Sequence, residues 1–460
     1  MQQITPLAVS YRDNAGFVFE QYGIFYRCIN EIYFPQYDHL LQSGLYKELI
    51  NTGRLIKHTE INKEFFLLAE NSNVKIILPE QLPFISYPYE WSFDMWKDAA
   101  IVTLKVMQIA MANGMILKDA TPFNIQFYNG RPVFIDTLSF DIYEEGKPWI
   151  AYRQFCECFL SPLLLMHYDH RDMAKFFMAY PEGIPLEITK SLLPLKSKFN
   201  LHVYMHVWLQ SKVAANAKND TTSTNNFSFK KLEVLITGLQ EFIKSLSVKN
   251  DKSTWDDYYT DTILGNQYLL QKKSLVADFC EQISFNTVID LGANDGYFSW
   301  LLKDKATNII SVDFDSNCVN ELYKKTRKEK VKNINPLVAT LNTPSPSIGW
   351  ANAERTSLTT RLKADLVLAL ALVHHLAIRN NVPLIKIAEW FAGMGKYLLV
   401  EFVPKTDEKV KKLLLNRTDI FSGYYFENFK NAFGTYYNII NEERVGDTER
   451  VLFLMERKDL

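Results

Sequence analysis

The clearest group of residues able to bind a small molecule is an aspartate followed by a glycine-containing turn. The apolar run TVIDL carries Asp290, and the turn after it contains Gly292, Asn294 and Gly296. A dinucleotide site needs Gly-x-Gly-x-x-Gly so that the backbone can approach a pyrophosphate, and this chain fails that pattern twice. The pattern present, Asp-x-Gly-x-x-x-Gly, suits a ligand without a pyrophosphate, whose carboxylate and ammonium groups would lie over the turn. Asn294 can adopt the left-handed backbone conformation almost as glycine does.

Further polar residues follow the next apolar runs. Asp313 ends NIISVD, and the two acceptor oxygens of a carboxylate suit a vicinal diol. Thr340 and Asn342 follow the third run, and His374 and His375 follow the fourth. An imidazole that titrates near neutral pH could deprotonate a hydroxyl group. The alternative for each histidine is a structural role, as a helix cap or a packed side chain.

A second group of polar residues lies in the first third of the chain. Asp119 and Asn124 follow a long helix-like stretch, and Asp136 ends a strand-like run twelve residues after Asn124. Carboxylate and amide oxygens are the hard ligands that Mg²⁺ prefers. Asp119 could orient or deprotonate an acceptor hydroxyl while Asn124 and Asp136 hold Mg²⁺ on phosphate groups. An Asp/Asn pair at a turn also commonly caps the local backbone.

The elements that would position these residues differ between the two ends of the chain. From about residue 285, short apolar runs alternate with helical segments, which predicts a parallel, doubly wound, Rossmann-like α/β sheet. The N-terminal part mixes strand-like runs, a long helix and an Asn-Gly turn at 129–130, which predicts an α+β domain. We therefore predict an N-terminal domain over 1–210, a linker and helical connector over 211–270, and a second domain over 271–460.

Bulk composition excludes several classes of protein. The 460 residues are 47% hydrophobic and 22% charged with a formal net charge of -1, so a globular protein is expected and nothing indicates a nucleic-acid partner. No apolar run reaches the length of about 18 residues needed to span a bilayer. The start of the chain lacks the basic and apolar regions of a secretory signal, and the five scattered cysteines fit buried free thiols. We expect a cytoplasmic protein without a membrane segment.

The C-terminal half resembles the class I S-adenosylmethionine-dependent methyltransferases. The resemblance implies that the turn from Asp290 to Gly296 holds the methionyl part of S-adenosylmethionine and that Asp313 takes the ribose hydroxyls. It implies that the histidine pair lies near the transferred methyl group, and we count Thr340 and Asp365 among the predicted cofactor-binding residues. The Asn-Pro-Pro-Tyr signature of amino-group methylation is missing. Oxygen is therefore the favoured acceptor.

The N-terminal part resembles protein kinases and aminoglycoside-phosphotransferase-like enzymes, which implies ATP and Mg²⁺ as ligands. It departs from them in carrying Leu117 where a histidine is usual and Thr-Leu after Asp136 where Phe-Gly is usual. Arg27 and Lys57 are candidates for the phosphate-gripping cation. Three interpretations stay open: an active kinase, a pseudokinase that binds nucleotide, and an unrelated α+β domain.

Taken together, the segments FIDTLSF, PWIAYRQFCECFLSPLLL and GWANAERTSL resemble bacterial nodulation-type methyltransferases along nearly the whole chain. The resemblance identifies the reaction better than the substrate. Our preferred hypothesis is O-methylation of a small molecule, sugar or glycan precursor, with the kinase-like domain as an accessory. The alternatives are a phosphotransferase fused to a methyltransferase domain and a non-catalytic nucleotide- or cofactor-binding scaffold. Arg355 could grip a phosphate or carboxylate, or could belong to a salt-bridged loop. Glu401 and Asp407 could line the acceptor pocket, or lie in a solvated loop.

Overall fold

A computed structural model describes residues 5–7, 10–66, 73–169, 172–211, 227–248, 265–415 and 418–459. The chain forms two compact units. The N-terminal unit comprises Met1–Lys249 together with Ser347–Thr356, and the C-terminal unit comprises Asn250–Pro346 together with Ser357–Leu460. The strands and helices given below lie in the described ranges.

The N-terminal unit contains a four-stranded antiparallel sheet in the order β1-β2-β4-β3 and two short antiparallel strand pairs, β5 with β8 and β6 with β7. The predicted Asn-Gly turn connects β6 to β7, and both of its residues have positive φ, 51° at Asn129 and 71° at Gly130. The strands are β1 (Gly16–Gln21), β2 (Ile24–Asn30), β3 (His58–Ile61), β4 (Val74–Pro79), β5 (Met115–Leu117), β6 (Ile125–Tyr128), β7 (Arg131–Phe134) and β8 (Phe140–Ile142).

The helices of this unit include a central one, α3, which buries residues on every turn, among them Trp96, Leu104 and Met107. They are α1 (Phe34–Gln42), α2 (Leu45–Asn51), α3 (Phe93–Ala112), α4 (Tyr152–Phe155), α5 (Ser161–Asp169), α6 (Leu186–Leu192), α7 (Leu201–Val203) and α8 (Phe229–Ser245). Helix α8 buries an apolar stripe that includes Leu232, Ile236 and Leu239, which is the pattern of a helix packed on one face.

The C-terminal unit is built on a seven-stranded sheet in the order β11-β10-β9-β12-β13-β15-β14. The first five strands in this order are parallel, whereas β15 is antiparallel to both β13 and β14. The strands are β9 (Thr287–Leu291), β10 (Asn308–Asp313), β11 (Ile334–Val338), β12 (Ala364–Ala369), β13 (Gly395–Phe402), β14 (Tyr437–Arg444) and β15 (Val451–Arg457).

Helices alternate with these strands as the sequence predicts. They are α9 (Gly265–Cys280), α10 (Tyr297–Leu301), α11 (Ser316–Glu329), α12 (Leu358–Arg361), α13 (Leu384–Ala392), α14 (Glu408–Leu414) and α15 (Phe426–Tyr436). All six residues of β10 are buried, which is expected of a central strand covered on both faces. The order of the parallel strands reverses between β9 and β12, and such a switch point opens a ligand crevice at the carboxyl ends of the strands. The predicted Rossmann-like, doubly wound fold is confirmed.

The division of the chain differs from the predicted boundaries in two respects. The predicted connector, 211–270, includes α8, which belongs to the N-terminal unit because it packs on α3: Gln108 Nε2 donates to Thr237 Oγ1 at 3.2 Å, and Lys97 Nζ donates to the carbonyl of Leu246 at 2.7 Å. Residues 212–226 and 249–264 of that connector lie outside the described residues. The second difference is the segment 347–356, which falls inside the predicted C-terminal domain but belongs to the N-terminal unit.

The cysteines and the hydrophobicity of the helices were also predicted from the sequence. All five cysteines are free and buried, which confirms the prediction of buried thiols. In the part of the chain that the structure describes, none of the helices combines the length and the hydrophobicity that a bilayer crossing requires.

Candidate functional site

The turn after β9 has the backbone shape that its residue types predict. Gly292, Asn294 and Gly296 have φ values of 72°, 52° and 78°, so three left-handed positions alternate along it. The prediction that Asn294 replaces a glycine in this conformation is confirmed. The turn is anchored to the neighbouring strand because the amides of Gly292 and Ala293 both donate to the carbonyl of Val312, at 2.9 and 3.0 Å.

Gly296 is the last residue of this turn and packs closely against α11. A Cβ placed on Gly296 would lie 2.5 Å from Cδ1 of Leu322, a buried residue of α11. Glycine at this position therefore meets two requirements at once, a positive φ and a close approach to α11. Gly296 does not line the cavity described below, so its predicted contact with the cofactor becomes an indirect one through the shape of the turn.

Asp313 lies at the end of β10 and is connected to the turn. Its Oδ2 accepts a hydrogen bond from the amide of Asn294 at 2.8 Å, and its Oδ1 accepts one from the amide of Asp315 at 2.9 Å. Asp315 has a different function: its side chain caps the start of α11. The carboxylate predicted to bind a diol is thus held in place by backbone donors, those of Asn294 and Asp315 among them, and a carboxylate oxygen can accept more than one hydrogen bond.

Both acids at this strand edge are buried and share an electrostatic environment. Burial raises the pKa of Asp290 to about 6, and burial likewise raises the pKa of Asp313 to about 6. Asp290 Oδ2 accepts a hydrogen bond from Ser299 Oγ at 2.7 Å, and Ser299 Oγ lies 2.7 Å from Ser311 Oγ. Asp290 therefore fixes the start of α10 to the turn, while Asp313 faces the space above it.

A cavity of about 220 Å³ lies over this edge of the sheet. It occupies the switch point between β9 and β12, where the fold is expected to bind a ligand. Six of the predicted residues line it: Asp290, Gly292, Asn294, Asp313, Thr340 and His375. Predicted positions from four different strand ends therefore meet in one place.

The two histidines lie against each other, but only His375 reaches the cavity. His375 lines the cavity and begins a π-helical turn, His375–Arg379, that follows β12. Burial lowers the pKa of His375 to about 4, so the imidazole is neutral at physiological pH. His374 does not line the cavity: it is fully buried, its ring centroid lies 4.2 Å from that of His375, and neither ring nitrogen has a hydrogen-bond partner among the described residues. Burial lowers the pKa of His374 far below its usual value. His374 thus packs behind His375 without reaching the cavity, and its catalytic role stays a prediction.

Asp365 was predicted to bind the cofactor, but it lies away from the cavity. It lies at the start of β12, and its Oδ2 accepts hydrogen bonds from the amides of Asn286 and Thr287 at 2.8 and 2.9 Å and from Thr287 Oγ1 at 3.0 Å. These contacts attach the start of β12 to the start of β9. Because the strands are parallel, this end is opposite to the carboxyl ends that form the cavity, and Asp365 does not line it.

The far wall of the cavity follows the third and fourth strands. Asn342 Nδ2 donates to Asn380 Oδ1 at 3.4 Å, and Arg379 lies beside them. The side-chain amides of Asn342 and Asn380 thus line this wall, on which the sequence places no carboxylate. Arg379 and Asn380 were not predicted, since nothing in the local pattern marks the residues of a π-helical turn as cavity-facing.

Glu401 and Asp407 belong to a buried charge network whose other members, Lys272, Tyr268 and Arg450, were not predicted from the sequence. Lys272 of α9 donates to Glu401 Oε2 at 2.5 Å, and Glu401 is fully buried. Tyr268 donates to Glu401 Oε1, and Arg450 contacts the same oxygen at 3.5 Å and Asp407 at 2.8 and 3.0 Å. Burial alone would raise the pKa of Glu401, but Lys272 and Arg450 outweigh it and lower that pKa to about 2. Glu401 and Asp407 are therefore committed to buried ion pairs and do not line an acceptor pocket. Only Lys272 of this network lines the cavity.

The N-terminal unit brings its three predicted residues together. Asn124 Nδ2 donates to Asp119 Oδ2 at 3.3 Å and to Ser139 Oγ at 3.0 Å, and Ser139 in turn donates to Asp136. Arg27, on β2, forms an ion pair with Asp136. Burial alone would raise the pKa of Asp136, but Arg27 and Ser139 outweigh it and hold that pKa below its usual value.

The other acid of this network responds differently. Burial, followed by the negative charge of Asp136, raises the pKa of Asp119. Of the two suggested phosphate-gripping cations, Arg27 belongs to the network, whereas Lys57 lines a separate cavity with Arg131 and Glu80. Within the described ranges, no group of three or more His, Cys, Asp or Glu side chains is arranged to hold a metal ion.

The segment 347–356 packs against residues next to this network. The carboxylate of Glu354 accepts hydrogen bonds from Tyr11 and Arg12, each at 2.6 Å, and the bond from Arg12 lowers the pKa of Glu354 to about 2. The guanidinium of Arg355 lies 3.8 Å from the ring centroid of Phe123, which stands between Asp119 and Asn124 in the chain. Arg355 thus packs within the N-terminal unit and does not line the cavity at the strand ends of the C-terminal unit.

The chain is similar to known proteins both in sequence and in part of its structure. No family model matches the chain. Over 464 residues it is 32% identical to nodulation protein NoeA of Rhizobium meliloti (strain 1021), and the match covers 98% of this chain and 96% of that protein. Solved structures similar to part of the chain include N-methyltransferase NodS from Bradyrhizobium japonicum WM9, with 8% identity, 43% of this chain and 100% of that one covered and a TM-score of 0.33. A SAM-dependent methyltransferase from Aquifex aeolicus has 17% identity, covers 45% of this chain and 100% of its own, and has a TM-score of 0.31.

Proposed function

We propose that this chain, which belongs to the family of nodulation protein NoeA, is an S-adenosylmethionine-dependent methyltransferase. We further propose that it methylates an oxygen atom of a small molecule, sugar or glycan precursor. The observation that carries the proposal is the hydrogen bond of 2.8 Å from the Asn294 amide to Asp313 Oδ2, at the edge of a cavity on the switch point of a doubly wound sheet.

The cavity fits the donor in its chemistry. Two backbone-anchored oxygens of Asp313 can each accept one ribose hydroxyl. The left-handed turn leaves a flat backbone surface at Gly292 for the methionyl part, because a side chain is absent there. The apolar residues Leu370, Leu372 and Leu376 complete the wall and limit access of water. A pyrophosphate would meet Asp290 and Asp313 without a glycine-rich loop to neutralise it, which disfavours a dinucleotide.

His375 is the residue of this chain best placed to act on the acceptor. When bound, the donor supplies an electrophilic methyl group on a sulfonium. Burial lowers the pKa of His375 to about 4, below the near-neutral value expected from the sequence, so the neutral imidazole is a weak base; we assign to it the orientation of an acceptor hydroxyl through a hydrogen bond. The buried surroundings that depress this pKa also exclude bulk water from the reaction.

Binding of S-adenosylhomocysteine measured by calorimetry tests the assignment of the donor site. We expect one site per chain and no competition by NADH. Displacement of S-adenosylhomocysteine by NADH would contradict the proposal. The acceptor can be sought by comparing the metabolites of a deletion strain and its parent for a mass difference of one methyl group; transfer to nitrogen instead of oxygen would contradict the second part of the proposal.

A second candidate function concerns the N-terminal unit, which we propose binds a nucleotide phosphate in a kinase-like manner. The connected series Arg27, Asp136, Ser139, Asn124 and Asp119 favours it, because it places a cation, two carboxylates and an amide around one point. In this proposal Asp119 orients an acceptor hydroxyl, and Asn124 and Asp136 hold Mg²⁺ once Arg27 shifts from Asp136 to a phosphate. The rival is an inert scaffold in which Arg27 and Asp136 stay paired.

Titration with ATP, with and without Mg²⁺, distinguishes these two possibilities. We expect binding of ATP that is strengthened by Mg²⁺ and abolished in Asp136→Ala. Mg²⁺-dependent binding that survives this substitution would contradict the assignment of the metal, and absence of ATP binding in the wild type would favour the scaffold. Glu60→Ala, at an exposed position on β3, serves as the matched loss of one carboxylate.

A further inference from the structure

Lys272 is a buried cation in the wall of the donor cavity, with an exposed fraction of 5%. We infer that its ammonium group binds the carboxylate of the methionyl part of the donor. The inference rests on the proposed donor site and names the residue that recognises the charged end of the ligand there.

Its position places Lys272 at the methionyl end of the cavity. The Nζ atom lies 5.2 Å from the ring centroid of Phe298, the second residue of α10 and itself part of the cavity wall. Asp290, at the start of the turn, is close enough to act on the pKa of Lys272. The other lysine or arginine in the cavity wall, Arg379, stands next to Asn380 and its partner Asn342 on the far wall. Of these two cations, Lys272 is the one beside the turn.

The hydrogen-bonding capacity of Lys272 is only partly used by the protein. An ammonium group has three donors, and within the described chain its one hydrogen-bond acceptor is Glu401 Oε2. The other oxygen of Glu401 is occupied by Tyr268 and Arg450, and Arg450 is in turn paired with Asp407. Glu401 thus pairs with Lys272, and Asp407 pairs with Arg450. A carboxylate in the cavity can satisfy a remaining N–H of Lys272 without breaking any of these pairs.

A rival interpretation gives Lys272 a structural role only, as the counter-ion of Glu401. The two interpretations differ in how a substitution of Lys272 changes the affinity for a ligand without a carboxylate. S-adenosylhomocysteine carries the amino acid carboxylate, whereas 5′-methylthioadenosine has the same adenosine and thioether without it. A direct contact of Lys272 affects only the first ligand, and a structural role affects both.

The test is calorimetry of both ligands on the full chain with Lys272→Met. We expect the affinity for S-adenosylhomocysteine to fall by about 10- to 100-fold, the effect of losing one charged hydrogen bond, while that for 5′-methylthioadenosine stays within a factor of about two. Lys272→Arg should recover most of the lost affinity. Lys324→Met removes a half-exposed lysine paired with Glu321 on α11 and should change neither ligand.

The outcomes separate this inference from the proposed function. Wild-type protein that binds neither ligand overturns both, whereas normal binding of S-adenosylhomocysteine by Lys272→Met overturns only the inference. An equal loss for the two ligands also overturns it, in favour of the structural role. If Lys272→Met does not fold because Glu401 loses its partner, the double variant Lys272→Met/Glu401→Gln removes the pair together and is judged by the same comparison.

Discussion

Replacing Asp313 by asparagine removes the charge that we assign to ribose binding while keeping the shape of the side chain. In the ligand-free protein both carboxylate oxygens already accept a backbone amide, from Asn294 at 2.8 Å and from Asp315 at 2.9 Å. The Asp313→Asn amide must turn its NH₂ group toward one of these donors. One backbone bond of the turn is then lost, and we expect the domain to be destabilised by about 1–3 kcal/mol.

The loss of ligand affinity can be worked out from the same contacts. We assign one ribose hydroxyl to each oxygen of Asp313, in addition to its backbone donors. A hydrogen bond to a charged group contributes about 1.5–3 kcal/mol and one between neutral groups about 0.5–1.5 kcal/mol, so each hydroxyl loses about 1–2 kcal/mol in Asp313→Asn. Two hydroxyls give about 2–4 kcal/mol, which is about a 30- to 1000-fold rise in Kd.

Calorimetry with S-adenosylhomocysteine at pH 7.5 measures this loss, and a thermal melt without ligand shows whether the variant is folded. Asp295→Asn is the matched control, because Asp295 lies in the same turn but is exposed and does not line the cavity. We expect Asp295→Asn to bind like the wild type. If folded Asp313→Asn binds within a factor of about three of the wild type, the ribose assignment, and with it the orientation of the donor, is wrong.

Three further predictions follow from the site and its corrections. The pKa values of Asp290 and Asp313 are raised to about 6, and we assign the ribose hydroxyls to the ionised form of Asp313. The affinity for S-adenosylhomocysteine should therefore be constant above pH 7 and fall as the pH drops through 6. A flat affinity profile between pH 7.5 and 5 in calorimetry would contradict this. Gly296→Ala should lower the free energy of unfolding in urea by about 2–4 kcal/mol, because the position has a positive φ and a Cβ there would contact Leu322. Gly434 is a helical glycine with open space around it, so Gly434→Ala should not lower this free energy. Equal effects of the two substitutions would refute the steric argument. Asp365→Ala should lower stability by about 1–3 kcal/mol but leave the affinity of the folded protein for the same ligand unchanged, and a weakened affinity would restore Asp365 to the cofactor site.

Much of the C-terminal site could be predicted because it depends on local backbone shape. Apolar runs ended by acidic residues indicate the strands of a parallel sheet, and the carboxyl ends of such strands meet at one edge. The spacing of Gly292, Asn294 and Gly296 determines a turn that few other residue types can form. Asp313 needed only one further assumption, that it ends the strand next to β9. The pairing of β9 with β10 confirms it.

The residues that were predicted wrongly, or missed, depend on contacts between distant parts of the chain. His374 and His375 are neighbours of the same type, and only the π-helical turn after β12 decides that one lines the cavity and the other does not. Lys272 precedes β9 in a helix beside another lysine, and its role is visible only once its contact with Glu401, 129 positions later, is known. No local pattern reports such a partner.

Periodicity and turn chemistry therefore determined the sheet, the left-handed turn and the strand-end acid, because these follow from the backbone preferences of a few consecutive residues. The tertiary structure alone decided the full burial of His374, the place of Asp365 at the opposite strand end, and the membership of 347–356 in the N-terminal unit. It also decided that Arg27 meets Asp136. The physical reason is that burial and ion pairing are properties of packed elements, and packing brings together residues whose separation in the chain carries no information about their contact.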